Sequence, residues 1–254
     1  MSPEKIKEKV VAIVEARMGS SRLPGKVLAN INGKPALERL INRLSFSEEL
    51  DDIIVATSTS TKDDVLASWL EKKNIKFYRG SENDVLQRVT DAAKSIDADL
   101  IVEINGDCVL TDFELIDQAV HSFKINDCDI ISNCGNHLTY PMGVYVQIFR
   151  SKELAWVAEN IKDEAVREHV SLYFYENESK YRIINLIAPK KLKHPEWRLQ
   201  LDYQEDLDFL NALYEKLEPL YGDNFTLYEI NELLLKDSNL LNINKHCVEK
   251  NARL

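Results

Sequence analysis

The first half of the chain alternates between short, mainly apolar runs and amphipathic helical segments, and this alternation restricts the fold more than any other feature of the sequence. Four short runs are predicted as buried strands: Val10–Val14, Ile53–Thr57, Ile75–Tyr78 and Leu100–Ile104. The segments that follow them have apolar residues at helical spacing: Pro35–Leu44, Lys62–Lys73, Asp84–Ser95 and Asp112–Phe123. Strand–helix repeats with short links place helices on both faces of a parallel sheet. The sequence therefore predicts an α/β protein, a three-layer sandwich around a mostly parallel sheet.

The pattern changes after about Ile130. Two further strands are predicted at Gly143–Phe149 and Tyr181–Ile187, with a short extended segment at Arg198–Asp202. The predicted helices of this half are Lys152–Asn160, Asp163–Glu178, Glu205–Leu217 and Leu227–Leu235. Because no stretch rich in Pro or Gly separates the halves, we interpret residues 1–254 as one domain. Residues 1–135 form its larger lobe, residues 136–200 an inserted smaller lobe, and residues 201–254 the helices that pack back.

Charge and cysteine content exclude several classes of protein. The formal net charge is −10, which makes nucleic acid and anionic membranes poor partners. The N-terminal residues are charged, and no apolar run approaches the roughly 18 residues of a membrane span, so we expect a cytoplasmic protein. The four cysteines match no zinc-binding spacing and are expected to be reduced thiols.

The loop after the first predicted strand, Ala16–Lys26, carries the strongest functional signal. It contains two glycines, two serines and three cationic side chains, which are the groups needed to hold a triphosphate. Ligands of open α/β sheets bind beyond the carboxyl ends of the strands, where this loop begins. The spacing fits neither the Walker loop nor the dinucleotide-binding G-x-G-x-x-G pattern. A basic surface turn is the alternative interpretation.

The stretch Arg17–Lys26 resembles the signature loop of the sugar cytidylyltransferases. Within that group it is most similar to the spore-coat polysaccharide (SpsF) type, relatives of the CMP-KDO and CMP-sialic acid synthetases. Further segments match in the same order, from about Val11 to Leu210. They are Arg79-Gly80-Ser81, Gly106-Asp107-Cys108, Arg167-Glu168-His169-Val170, and Arg198-Leu199-Gln200-Leu201-Asp202 with Glu205-Asp206-Leu207.

The resemblance implies a Rossmann-like fold of the GT-A type found in nucleotide-diphospho-sugar transferases. It implies Mg²⁺-dependent transfer of CMP from CTP to an acidic sugar or sugar phosphate, with release of pyrophosphate, for cell-surface polysaccharide synthesis. Residues 1–135 would bind the nucleotide, and residues 136–200 would bind the acceptor and form a homodimer. Asp107 and Asp202 would share the Mg²⁺ ion, since carboxylate oxygens are suitable ligands for it.

The resemblance also implies roles for individual residues. Arg17, Lys26 and Asp107 would be catalytic, with Arg17 and Lys26 on the phosphates. The expected nucleotide-binding residues are Ala16, Arg17, Gly19, Ser20, Arg22, Lys26, Thr57, Arg79, Asn105 and Gly106. The expected acceptor-binding residues are Arg167, His169 and Gln147. Simpler interpretations remain open for single positions: Asp107 as a turn residue, Arg79 in a surface salt bridge and His169 as a packed helix residue.

The sequence departs from the family pattern at three informative positions. Glu15 stands where the family usually has Gln, and Tyr145 and Gln147 stand where acidic residues are common. The loss of two carboxylates favours a more anionic acceptor. Two alternatives stay open at this point. One is a nucleotidyltransferase of the same fold that uses another nucleotide, a polyol phosphate or a phosphonate. The other is a non-catalytic nucleotide-binding module.

Overall fold

The computed structural model of the protein describes residues 7–134 and 138–248. Its strands, in chain order, are β1 (Val10–Glu15), β2 (Asn30–Ile31), β3 (Lys34–Pro35), β4 (Asp52–Ser58), β5 (Phe77–Gly80), β6 (Leu100–Asn105), β7 (Ile130–Ser132), β8 (Gln147–Arg150) and β9 (Ile183–Asn185). Its helices are α1 (Ala36–Leu44), α2 (Asp64–Lys72), α3 (Val85–Ser95), α4 (Phe113–Ile125), α5 (Ser151–Asn160), α6 (Glu164–Glu168), α7 (Leu172–Glu176), α8 (Gln204–Tyr221) and α9 (Leu227–Lys236).

Seven strands form one sheet in the order β5-β4-β1-β6-β8-β7-β9, and β2 pairs with β3 in a separate hairpin. The pairs β5–β4, β4–β1, β1–β6 and β7–β9 are parallel, whereas β8 is antiparallel to both of its neighbours. The predicted mostly parallel sheet is therefore confirmed. The segment predicted as an inserted lobe supplies β8 and β9 to this same sheet, and the division into lobes stays a prediction.

Alternate residues of the buried strands face opposite sides of the sheet, which gives the three layers. In β1, Val10, Ala12 and Val14 belong to the apolar cluster that includes residues of α1, α2, α4, α8 and α9, while Val11 and Ile13 belong to the cluster that includes residues of α3, α5, α6 and α7. All five of these β1 side chains are fully buried. A continuous apolar run is what a strand covered by helices on both faces requires.

Some local predictions differ from the structure. The helix predicted over Asp163–Glu178 is two short helices, because the chain leaves helical geometry at His169, whose φ and ψ are extended. The strand β7 was absent from the prediction because three apolar residues in a row carry no periodicity. The segment Arg198–Asp202 is extended, as expected, but makes only an isolated bridge between Arg198 and Met142.

The C-terminal helices are anchored to the rest of the fold by buried charges. Arg39 of α1 is fully buried and contacts Glu218 and Asp223 at 2.5 and 2.8 Å. Arg39 also lies over the ring of Tyr214, 4.5 Å from the centroid. Within the described residues, no helix combines the length and apolar character needed to cross a bilayer.

Candidate active site

The carboxyl ends of β1 and β6 lie at the point where the strand order reverses. The space beyond these two strand ends is the crevice in which a ligand is expected. The chain runs outward from β1 through β4 to β5, then returns to the other side of β1 as β6. Open α/β sheets bind their ligands at such a switch point. The two strand ends approach closely, because Gly106 N donates to Glu15 O at 2.8 Å. A Cβ atom at position 106 would lie 2.6 Å from that oxygen, so this approach requires glycine.

The loop after β1 folds back on itself at this edge. The carbonyl oxygen of Met18 accepts hydrogen bonds from the backbone N–H groups of Ser20 and Gly25, each at 3.0 Å. Gly25 adopts a left-handed conformation with φ of 72°. The turn returns Lys26 to the sheet edge, beside the loop that follows β6.

Lys26 connects the two aspartates that the sequence analysis assigned to the metal. Its Nζ lies 2.6 Å from Asp107 Oδ2 and 2.7 Å from Asp202 Oδ1. The backbone is tied at the same point, since Leu201 N donates to Asp107 O at 3.0 Å. The two carboxylates therefore converge, and one oxygen of each lies within hydrogen-bond distance of a single ammonium group.

Asp202 is fully buried and is surrounded by cations. Besides Lys26, it contacts Arg22 Nη2 at 2.7 Å and Arg198 Nη2 at 3.1 Å. Burial alone would raise the pKa of Asp202, but Lys26 and the two arginines hold that pKa below its ordinary value. For Lys26, burial would lower the pKa, and the two aspartates raise it instead. Both groups are therefore charged at neutral pH.

Asp206 fixes the position of Asp202. Its carboxylate accepts hydrogen bonds from the backbone N–H groups of Asp202 and Tyr203 at 2.9 and 3.0 Å. It also pairs with Arg198, whose Nε lies 2.9 Å from Asp206 Oδ1. Asp206 and Arg198 act here as supporting residues that the sequence analysis did not single out; their only signal was membership of the matching segment near residue 200.

The donor set at this site fits a hard divalent cation. Two carboxylates from separate segments reach one cationic position, which the Lys26 ammonium fills in this structure. Oxygen ligands with room left for water and phosphate are the usual environment of Mg²⁺. Asp107 and Asp202 are the residues that would hold it.

The remaining predicted nucleotide-binding residues lie at or near the carboxyl ends of the strands, and they differ in the contacts that their side chains make. Thr57 of β4 is fully buried and its hydroxyl has no hydrogen-bond partner. Arg79 instead braces the loop after β4, donating to Ser58 O at 2.8 Å and pairing with Asp64 at 2.7 Å. Arg17 points toward the loop before α3, with Nη1 3.5 Å from Glu82 O.

The other predicted nucleotide-binding residues lie in the loop after β1 and at the end of β6. Ala16 N donates to Ala56 O at 3.3 Å, and Asn105 is the register partner of Glu15 at the end of β6. The Ser20 hydroxyl accepts from Leu23 N at 3.3 Å within the loop, and Gly19 is exposed at its tip. Their roles toward a nucleotide stay predictions.

The predicted acceptor residues lie on the α3–α6–α7 side of the sheet. Gln147 is buried in β8 and accepts a hydrogen bond from the hydroxyl of Tyr175, which also contacts Ser132 Oγ at 2.6 Å. Arg167 joins two helices: it pairs with Asp84 at the start of α3. His169 ends α6, with its backbone N–H bonded to Ala165 O at 2.8 Å.

A pair of acidic residues beneath the crevice was missed by sequence reasoning. The carboxyl groups of Glu15 and Glu103 hydrogen-bond to each other between the sheet and α3. Burial raises the pKa of Glu15 to about 7, and burial together with Glu15 raises the pKa of Glu103 well above its ordinary value. Glu103 alternates with apolar neighbours in a buried strand, where an acidic residue gives no signal of its partner.

Comparisons with known proteins show which family the chain belongs to. Residues 11–236 match the family described as "Cytidylyltransferase". An uncharacterized protein of Methanocaldococcus jannaschii is 35% identical over 245 residues, 96% of this chain and 98% of the relative. The spore coat polysaccharide biosynthesis protein SpsF of Bacillus subtilis is 30% identical over 214 residues, 82% of this chain and 87% of the relative. The structure of a cytidylyltransferase from Leptospira borgpetersenii has a TM-score of 0.87 at 28% identity, and the match covers 96% of this chain and all of that one. The chain is an enzyme that belongs to the cytidylyltransferase family.

Proposed function

We propose that this enzyme transfers CMP from CTP to a sugar, with Mg²⁺, and releases pyrophosphate. The observation that carries the proposal is the meeting of Lys26 with Asp107 and Asp202 at the switch point of the sheet. A triphosphate needs several positive charges, and an acidic chain has to concentrate them locally. Lys26, Arg22 and Arg198 are concentrated around one buried carboxylate there.

Each residue of this cluster has a distinct part in the proposal. Asp107 and Asp202 hold Mg²⁺, which neutralises charge on the phosphates when it is bound. Lys26 and Arg22 contact phosphate oxygens, since both are partly accessible at the crevice and one guanidinium nitrogen of Arg22, Nη1, has no partner. Arg198 stays paired with Asp206 and keeps Asp202 in place.

The chemical step is a displacement at the α-phosphorus of CTP. A hydroxyl oxygen of the sugar forms the new P–O bond, the bond to the β-phosphate oxygen breaks, and pyrophosphate carries away the electron pair. The hydroxyl proton passes to solvent. Placing the acceptor on the Gln147 and Tyr175 side lets it approach from the side of β8, away from the loop after β1.

The choice of a sugar acceptor is supported by the relative from Bacillus subtilis, whose name places it in polysaccharide biosynthesis. An acidic sugar or sugar phosphate is favoured because Gln147 and Tyr145 carry no charge where related sequences often have carboxylates. An acceptor site with fewer negative charges repels a negatively charged acceptor less strongly.

The proposal includes a cytoplasmic homodimer that uses the segment 136–200. Three large apolar side chains of this segment are between 47% and 56% exposed: Leu138, Trp156 and Ile187. Light scattering tests this part separately, and a monomer at micromolar concentration contradicts it.

The catalytic proposal is tested by pyrophosphate release. The purified enzyme is supplied with Mg²⁺ and each of CTP, UTP, ATP and GTP, against acidic sugars, sugar phosphates, polyol phosphates and phosphonates. We expect release with CTP and an acidic sugar or sugar phosphate. Asp107→Asn should lower kcat by about 10²–10³-fold, and the matched variant Asp208→Asn, at an exposed position of α8, should keep full activity.

Other outcomes each select a different function. Turnover of a polyol phosphate or phosphonate, or of another nucleotide, replaces the sugar assignment. Absence of release with every combination favours a nucleotide-binding module. Wild-type turnover by Asp107→Asn removes Asp107 from the proposed metal site.

A further inference from the structure

A second set of metal-type donors lies at the start of α8, on the outer side of Asp206. Glu205, His246 and Cys247 each offer one ligand atom, and these three atoms lie within 4.8 Å of one another. His246 Nε2 is 3.3 Å from Glu205 Oε1. A carboxylate, an imidazole and a thiol are brought together from parts of the chain that are far apart in sequence.

Hydrogen bonds from neighbouring residues hold these donors together independently of any ion. Asn244 is buried and donates through Nδ2 to Asp206 Oδ1 at 2.9 Å and to Arg198 O at 3.1 Å. Cys247 N donates to Asn244 O at 3.0 Å, which turns the chain toward α8. Beyond the donors, Tyr203 OH donates to Val248 O at 3.2 Å. The C-terminal segment is thus anchored on both sides of His246 and Cys247.

The mixed donor set has the chemistry of a zinc site. Zn²⁺ binds cysteine sulfur, histidine nitrogen and carboxylate oxygen, usually with four ligands, whereas Mg²⁺ prefers oxygen alone. Three protein ligands leave a fourth position for water, which is accessible because His246 is exposed and Glu205 and Cys247 are half-buried. The sulfur and nitrogen donors separate this group chemically from the pair Asp107 and Asp202.

We propose that Glu205, His246 and Cys247 bind one Zn²⁺ ion, which clamps the C-terminal segment to the first turn of α8. The thiol of Cys247 gives its proton to solvent as the sulfur–zinc bond forms, so binding releases one proton. Glu205 precedes Asp206 in the chain, and Asp206 holds Arg198 and the backbone of Asp202. The clamp therefore supports one side of the active site from outside.

The test is a titration of the metal-free full-length protein with Co²⁺, which takes the same ligands and is coloured. We expect a thiolate-to-cobalt charge-transfer band that saturates at about one equivalent, and its loss when Zn²⁺ is added. Zn²⁺ should also raise the Tm of the protein. Cys247→Ser should abolish the band, and His246→Ala should weaken binding by about ten-fold or more.

Two controls separate this site from other groups of the chain. Cys108→Ser should keep the band, although Cys108 Sγ lies 3.6 Å from Asp107 Oδ1. Glu196→Gln should also keep it, because the exposed pair of Glu196 and His194 has the same two donor types without a thiol. The absence of a band in the wild type, or its persistence in Cys247→Ser, overturns the proposal. If Zn²⁺ raises the Tm of Cys247→Ser as much as that of the wild type, the proposal is also overturned, because the thiol would then contribute nothing to metal binding.

Discussion

The buried pair of Glu15 and Glu103 should make the stability of this enzyme fall as the pH rises toward neutrality. The two carboxyl groups share a hydrogen bond beneath the crevice, and one oxygen of each, Glu15 Oε1 and Glu103 Oε2, has no partner. Arg88 offsets part of the charge on Glu15 but does not cancel the effect of burial. A lost proton therefore leaves a negative charge in an environment that solvates it poorly.

The size of the effect follows from the pKa of Glu15. Its ordinary value is 4.5 and burial raises it to about 7, a difference that corresponds to about 3 kcal/mol. The folded state holds this proton more tightly than the unfolded chain does. The free energy of unfolding therefore keeps its full value below pH 4.5 and falls as pH rises through 7. Because the two groups titrate together, the fall continues as Glu103 loses its own proton.

Glu15→Gln is the perturbation that isolates this term, since it keeps the shape and removes the charge. Urea unfolding is measured for both proteins across this pH range and up to about pH 8. We expect the wild type to lose up to about 3 kcal/mol relative to the variant over this interval. The control is Glu229→Gln: Glu229 caps α9 through Thr226 and has a lowered pKa, so its difference from the wild type should stay constant above pH 5.

A constant difference between Glu15→Gln and the wild type would refute the reasoning. It would mean that the buried pair exchanges its proton at an ordinary pKa, with water reaching the unpartnered oxygens.

Three further predictions concern the active site and the C-terminal helices. Lys26→Met should lower kcat for pyrophosphate release by about 10²–10³-fold with unchanged circular dichroism, because a cation at the phosphates is lost. Arg39→Met should lower the free energy of unfolding by about 3–5 kcal/mol in urea, because Glu218 and Asp223 lose their fully buried cationic partner and keep only the partly exposed Lys34. Gly143→Ala should impair pyrophosphate release, since φ is 92° and its Cβ would lie 2.6 Å from Gln200 N in the segment that carries Asp202, a proposed metal ligand. Gly222→Ala, at φ of 63° and ψ of −129° with open space around it, should keep that activity and lose about 1–3 kcal/mol of stability from backbone strain.

The elements of the first half could be predicted from the sequence because the arrangement of their apolar residues is typical of either a buried strand or an amphipathic helix. The run Val10–Val14 is apolar at every position, and α1 has its apolar residues on one face. The second half gave weaker signals. The pair β7 and β9 are three residues each, and β8 begins four residues later than predicted, at Gln147, because Gly143 needs a positive φ and approaches Gln200 instead of entering the strand.

The candidate site was predictable where residues stood at the carboxyl ends of strands in segments that match a known family, and less so where only the folded structure brings side chains together. Lys26, Asp107 and Asp202 were expected together and are together. Arg79, expected at the nucleoside, pairs with Asp64 and donates to Ser60 O in the loop after β4, and its role toward a nucleoside stays a prediction. The zinc-type donors at Glu205 and Cys247 follow no sequence template, since a contact between the two ends of the C-terminal region creates them.

The charges at the crevice explain how a chain of net charge −10 can bind a triphosphate at all. Asp107, Asp202 and Asp206 face Lys26, Arg22 and Arg198, so the cluster is nearly neutral without a ligand. A nearly neutral cluster attracts a nucleotide only if its cations can be released from the carboxylates. Lys26 and Arg22 are the groups that can be released, because a divalent cation bound by Asp107 and Asp202 would compete for the oxygens that they contact, while Arg198 is also held by Asp206. Binding of the metal and of the nucleotide should therefore be coupled through Lys26 and Arg22. Because Asp202 is fully buried, water weakens its interactions with the neighbouring cations less than it would at the surface.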